Sequence, residues 1–111
     1  MATSYRMAES REDPIRNELT ARIQQLDRDF RLLSIGELGR RIDAIRQLAR
    51  RNGFEPASRL AGGLADALAR NGRAAMIQPY IDGLHDAVFC DPADRNAGDA
   101  LLASVSVRLA D

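Results

Sequence analysis

The sequence predicts an all-α fold, an antiparallel four-helix bundle with an additional C-terminal helix. Three observations carry this. Apolar residues recur at helical spacings along most of the chain. Helix-start and helix-stop signals alternate between those apolar runs. No window shows the strict apolar–polar alternation of a half-buried strand.

Taken in order, residues 1–12, MATSYRMAESRE, have no clean period. They read as a flexible N-terminal tail or a short docking turn, with residues 13–111 as a single domain. Asp13-Pro14 reads as the start of the first helix: an Asp side chain can accept from free amides, and a proline loses nothing in the first turn. Leu19, Ile23, Leu26, Phe30 and Leu33 then form one stripe. Ser34 with Glu37 three residues on fits a capping box, flanked by Leu33 and Leu38 as a staple. The first helix is therefore expected to end near residue 33 and the second to begin at once.

The second stripe is Ile35, Leu38, Ile42, Ile45, Leu48 and Ala49, stopped at Asn52-Gly53. A third helix starts at Pro56, uses Leu60, Ala61, Leu64, Ala67 and Leu68, and stops at Asn71-Gly72. Gly62-Gly63 inside it costs roughly 1 kcal/mol per glycine against alanine, so a neighbouring helix should approach closely there. A fourth runs from about Arg73 to Phe89 with Met76, Ile77, Tyr80, Ile81, Leu84 and Val88 on one face. Pro79 either kinks it or marks a later start near Gln78. Asp91-Pro92 opens a fifth, with Ala97, Leu101, Leu102, Val105 and Leu109.

Composition narrows the function. With 45 % hydrophobic residues but only 5 % aromatic ones and no Trp, the core must be aliphatic. The 16 basic residues balance the 16 acidic ones, which argues against general nucleic-acid binding. Every basic residue is arginine, so chemistry needing a catalytic lysine is excluded. The single cysteine, Cys90, rules out an internal disulfide and suggests a reducing, cytoplasmic setting. There is no signal-peptide pattern, and no run approaches the ~20 apolar residues of a membrane span.

Catalytic constellations are missing. One histidine, His85, and one cysteine five residues on do not make a metal site. Ser34, Ser58, Ser104 and Ser106 have no motif around them, and Gly62-Gly63 lies mid-helix rather than in a phosphate loop. A non-enzymatic role without cofactor or metal is the expectation.

RRIDAIRQLARRNGF, residues 40–54, points further. Asp43-Ala44-Ile45-Arg46-Gln47 lies in register with the His-x-Leu-Lys-Gly pattern of histidine phosphotransfer (Hpt) domains. Gly53 falls ten residues after Asp43, where that family places a glycine. GFEPASRLAGGLADALARNG is similar to the family's next helix and its terminal turn, and YIDGL to the one after. Residues 15–88 thus resemble an Hpt bundle, with no counterpart for the fifth helix. Three departures matter. Asp43 stands where the acceptor histidine would be, Arg46 where the lysine would be, and Gln47 where a small residue leaves the acceptor open. The resemblance therefore implies docking without transfer: a degenerate Hpt domain binding a receiver domain through Asp43, Arg40, Arg46, Gln47 and Arg50. That requires Asp43 to stand exposed at mid-helix, ringed by arginines.

Two other readings follow from the residues. GLHDAV resembles the phosphoacceptor box of one histidine-kinase class, with His85 as acceptor and Asp86 as its base. Ala103, Val105 and Val107 fall on more than one face of the last helix, as an adaptor that pairs with a second copy would have them.

Overall fold

Among the described residues the apolar periods wind into five helices. The computed structural model describes residues 2–72 and 75–110, with side chains from Glu12 onward. Helix α1 spans Ala2–Asp29, α2 Ile35–Arg51, α3 Glu55–Asn71, α4 Gln78–Val88 and α5 Arg95–Ala110. All regular secondary structure among the described residues is helical.

Asp13-Pro14 does not open α1. The backbone is already helical from Ala2, and Pro14 lies inside the helix. A proline there removes one amide from the ladder and crowds the carbonyl four residues back. Beyond it Ile15 packs on the core and Leu19, Ile23 and Leu26 are fully buried. The side chains of the segment read as a tail fall outside the described residues, apart from exposed Glu12.

α1 ends at Asp29 rather than near residue 33, and a short corner follows in which the Leu32 amide donates to the Asp29 carbonyl at 2.8 Å. Ser34 then caps α2, its hydroxyl accepting from the Glu37 amide at 3.1 Å. Only half of the capping box forms, because the Glu37 carboxylate turns to Arg40 and Arg41. Leu38, Ile42, Ile45 and Ala49 are buried as the period requires, whereas Ile35 lies at the edge and is partly exposed. The helix closes where Gly53 takes φ +74°, a conformation that disfavours side chains.

α3 begins one residue before Pro56 and ends against Gly72 at φ +54°. α4 does not start at Arg73. It starts at Gln78 with Pro79 in its first turn, where the missing amide is harmless, so there is no kink to explain. Met76, expected on the packed face, precedes the helix and is 58 % exposed. Asp91-Pro92 forms a turn rather than a helix start: the Asp91 carboxylate accepts from the Ala93 amide at 3.1 Å. Asp94 is the residue that caps α5, accepting from Asn96 and Ala97 at 3.0 and 3.1 Å. The Pro92 carbonyl also takes the Glu55 amide at 2.8 Å and pins this turn to the head of α3.

Packing runs in a closed circuit. α1 touches α2 and α4, α2 touches α3, and α3 touches α4. α5 lies over α3 and α4. One aliphatic core joins the elements, with Phe54 and Tyr80 as its buried aromatics. Each fully buried Leu or Ile contributes about 1.5–3 kcal/mol against an exposed position, so this apolar set dominates stability. Arg16 ties α1 to α4, donating from Nε to the Val88 carbonyl at 2.8 Å while its guanidinium lies over the Phe54 ring. A cation there satisfies a free carbonyl and suits the negative end of α4.

Glycines set how closely α5 sits. A Cβ on Gly63 would stand 2.7 Å from a Leu102 methyl, and one on Gly98 would stand 3.3 Å from the Pro56 backbone and 3.0 Å from the Arg59 stem. Gly62 differs: its nearest obstacle would be the Arg46 Cδ at 4.0 Å, an ordinary contact. Gly62→Ala should therefore raise stability by about 0.5–1 kcal/mol. Gly98→Ala should lower it by about 1–3 kcal/mol by forcing α5 off α3. Urea denaturation of both variants checks the pair, and a shift of the same sign in each would refute the packing account.

Candidate functional site

On α2 the residues facing away from the core sit one turn apart, and the buried stripe fixes which they are. Ile42 and Ile45 are 1 % exposed, so Asp43 between them must point outward. Its side chain is 50 % exposed, midway along the helix. Both carboxylate oxygens are engaged. Gln47 donates from Nε2 to one at 2.8 Å, and Arg46 donates from Nη2 to the other at 3.3 Å. Gln47 is thus a partner of Asp43 rather than only a bulkier neighbour.

The other named residues divide. Arg40 is exposed but belongs to Glu37, which it meets at 2.7 Å. Arg50 is exposed and makes no ion pair among the described residues. The structure thus places Asp43 on an outward face with Arg46 against it and Arg50 free, while Arg40 is held by a different carboxylate.

Arg46 and Arg50 also line a groove of about 440 Å³ between α2, α3 and α5. Ser58, Arg59, Gly62, Gly63 and Asp66 come from α3 and Leu102 from α5. The Arg46 Nε is buried without a hydrogen-bond partner. Arg59 pairs across to Asp99 on α5. Sequence reasoning missed Ser58, Arg59 and Asp66 as site residues. The signal available was the glycine pair on the same helix, whose cost marked a place where something approaches closely.

His85 sits elsewhere, on α4 facing α1. Its Nε2 lies 3.7 Å from the Asp27 carboxylate. Gln78 donates to Asp27 at 3.2 Å and to Asp82 at 3.0 Å, and Arg108 of α5 reaches Asp82 at 3.0 Å. Asp86, the base expected beside His85, is exposed and contributes its backbone carbonyl to Phe89 and Cys90. On α5, Val105 is a core residue rather than part of a partner surface, because α5 turns it onto α3 and α4; Ala103 and Val107 are exposed.

Comparison with protein-family models, with curated proteins and with solved structures finds no match to this chain. Among the described residues no helix is long and apolar enough to cross a membrane.

Two carboxylates are held below their ordinary range. For Glu37 the cause is the Arg40 guanidinium, by hydrogen bond and charge, with Arg41 adding to it. For Asp82 partial burial pushes upward, but hydrogen bonds from Gln78 and Arg108 and the charge of Arg108 outweigh it. A depressed folded-state value means stability that is complete above the ordinary carboxylate range and lost as pH falls through and below it. The chain should therefore lose stability on that acid limb, and Asp82→Asn should make the loss shallower. Thermal melts across that range decide it; an identical acid limb in the variant would contradict the assignment.

Proposed function

We propose that this chain is a non-catalytic protein-binding helical module whose α2 face docks a partner, and that the partner is a receiver domain of the kind met by Hpt bundles in two-component phosphorelay signalling. The observation that carries the reading is the placement of Asp43. It stands half exposed at the middle of α2, backed by buried Ile42 and Ile45, with Arg46 and Gln47 on its carboxylate and Arg50 one turn beyond.

The chemistry of the face suits recognition rather than transfer. A carboxylate at position 43 cannot form a phosphoimidazole, so the surface offers a fixed negative charge beside guanidinium forks. Such forks bind carboxylates in a planar, bidentate way. The closed circuit of α1 to α4 supports a four-helix, Hpt-like arrangement, with α5 as an addition on the α3–α4 side. An exposed pair such as Asp43–Arg46 adds well under about 1 kcal/mol to the fold, so a partner can take either group at little cost.

The test is titration calorimetry against a panel of purified receiver domains. At least one should bind, and Arg46→Glu should weaken it about tenfold or more, with Arg50→Glu doing the same. Circular dichroism confirms that each variant is folded. Absence of binding to any receiver, or affinity indifferent to both reversals, would end the reading.

A further inference from the structure

Independently of any protein partner, we propose that the groove between α2, α3 and α5 is a binding site for a small phosphate monoester with a hydroxylated body. Its lining includes three arginines, Arg46 and Arg50 from α2 and Arg59 from α3. Each presents up to five donors, and few of them are used. Arg46 gives Nη2 to Asp43, while its Nε is closed off from solvent and is not counted among the donors open to a ligand. Arg59 gives Nη2 to Asp99 on the adjoining groove, from which it would swing to meet a ligand, and Arg50 has no ion-pair partner among the described residues. The two existing pairs are solvent-exposed on both sides and so hold their arginines weakly. A phosphate dianion can recruit all three, in the bidentate mode guanidinium favours.

The floor points the same way. Ser58, Gly62 and Asp66 follow one another at one-turn intervals along α3, so they share a face. Gly63 is explained by its contact with Leu102, but Gly62 has no neighbour close enough to require a glycine. A glycine mid-helix without a packing reason leaves bare backbone, which lets a ligand approach closely. Asp66 would repel a second anionic group, yet it accepts from hydroxyls, as Ser58 can also. Arginines for the phosphate, with Asp66 and Ser58 for hydroxyl groups, therefore select a phosphorylated polyol over a dicarboxylate. The groove, at about 440 Å³, has room for such a molecule.

The experiment is a nuclear magnetic resonance titration of the full chain with glycerol 3-phosphate, with no partner protein present. Saturable shifts are expected at millimolar concentration in the amides of residues 46–50 and 58–66. Arg59→Ala, which lies outside the proposed docking face, should weaken binding about tenfold or more, the loss expected for a charged hydrogen bond. Gly62→Ala should weaken it while leaving the fold intact, because it raises the floor. Arg40→Ala should change nothing. No saturation, or an equal response to sulfate at matched ionic strength, would overturn the proposal. So would affinity unchanged in both Arg59→Ala and Gly62→Ala. Inorganic phosphate binding as tightly as the ester would overturn the roles of Asp66 and Ser58. None of these outcomes depends on whether a receiver domain binds.

Discussion

Everything else in this molecule depends on the apolar face of α3 finding three partners at once. α3 packs against α2, α4 and α5, and Ala57, Leu60, Ala61, Leu64, Ala67 and Leu68 are buried in doing so. Small residues make this feasible. Alanine at positions 57, 61 and 67 lets neighbouring helices come close, while Leu60 and Leu64 fill the space between them. A helix with larger residues at those positions would hold its neighbours apart and open voids, each costing dispersion contacts along its lining. Because α3 is held from several sides, its remaining surface, carrying Ser58, Arg59, Gly62 and Asp66, is also held in place. The aliphatic interior thus both stabilises the chain and positions the charged groove.

Much of this was legible in the residues, and the boundary of what was legible follows from range. Stripes such as Leu38, Ile42, Ile45 and Ala49 are decided by helical period alone, and they are buried as read. The stops at Asn52-Gly53 and Asn71-Gly72 are local backbone preferences, and both glycines take positive φ. The errors came where two local signals compete. Asp13-Pro14 and Asp91-Pro92 carry the same start signature, yet one lies inside α1 and the other in a turn. An Asp before Pro can serve a helix or a turn equally, and the next capping residue, Asp94, decides the second case. For Pro79 the surroundings chose the later start, which removes the need for a kink.

The candidate site divides along the same line. That Asp43 faces outward follows from its place between two buried isoleucines, a matter of period. Which arginine answers it does not follow, because long side chains choose among carboxylates within reach. Arg40 could have turned to Asp43 and instead meets Glu37. The groove was illegible because its walls come from three helices, and sequence spacing says nothing of how α2, α3 and α5 lie side by side. The glycine pair was the one trace, and its two members differ: Gly63 answers to Leu102, whereas Gly62 meets the Arg46 stem only at ordinary contact distance.

Charge is arranged so that the surface adapts while the interior does not. No polar or charged residue is buried among the described residues, so no ion pair is needed to hold the core together. The pairs Asp43–Arg46, Arg59–Asp99 and Arg108–Asp82 all lie at the surface, where water competes with each contact. They orient long side chains without locking them. A ligand or partner that replaces one carboxylate by another therefore exchanges like for like, at small cost to the fold. Arg16 is the contrast: its Nε is committed to the Val88 carbonyl at the end of α4 and its guanidinium lies over the Phe54 ring, so it serves the fold by tying α1 to α4. Net neutrality with many exposed arginines is consistent with this division. The arginines are numerous enough to present donors on several faces, and most of the surface carboxylates paired with them sit where water competes for each contact.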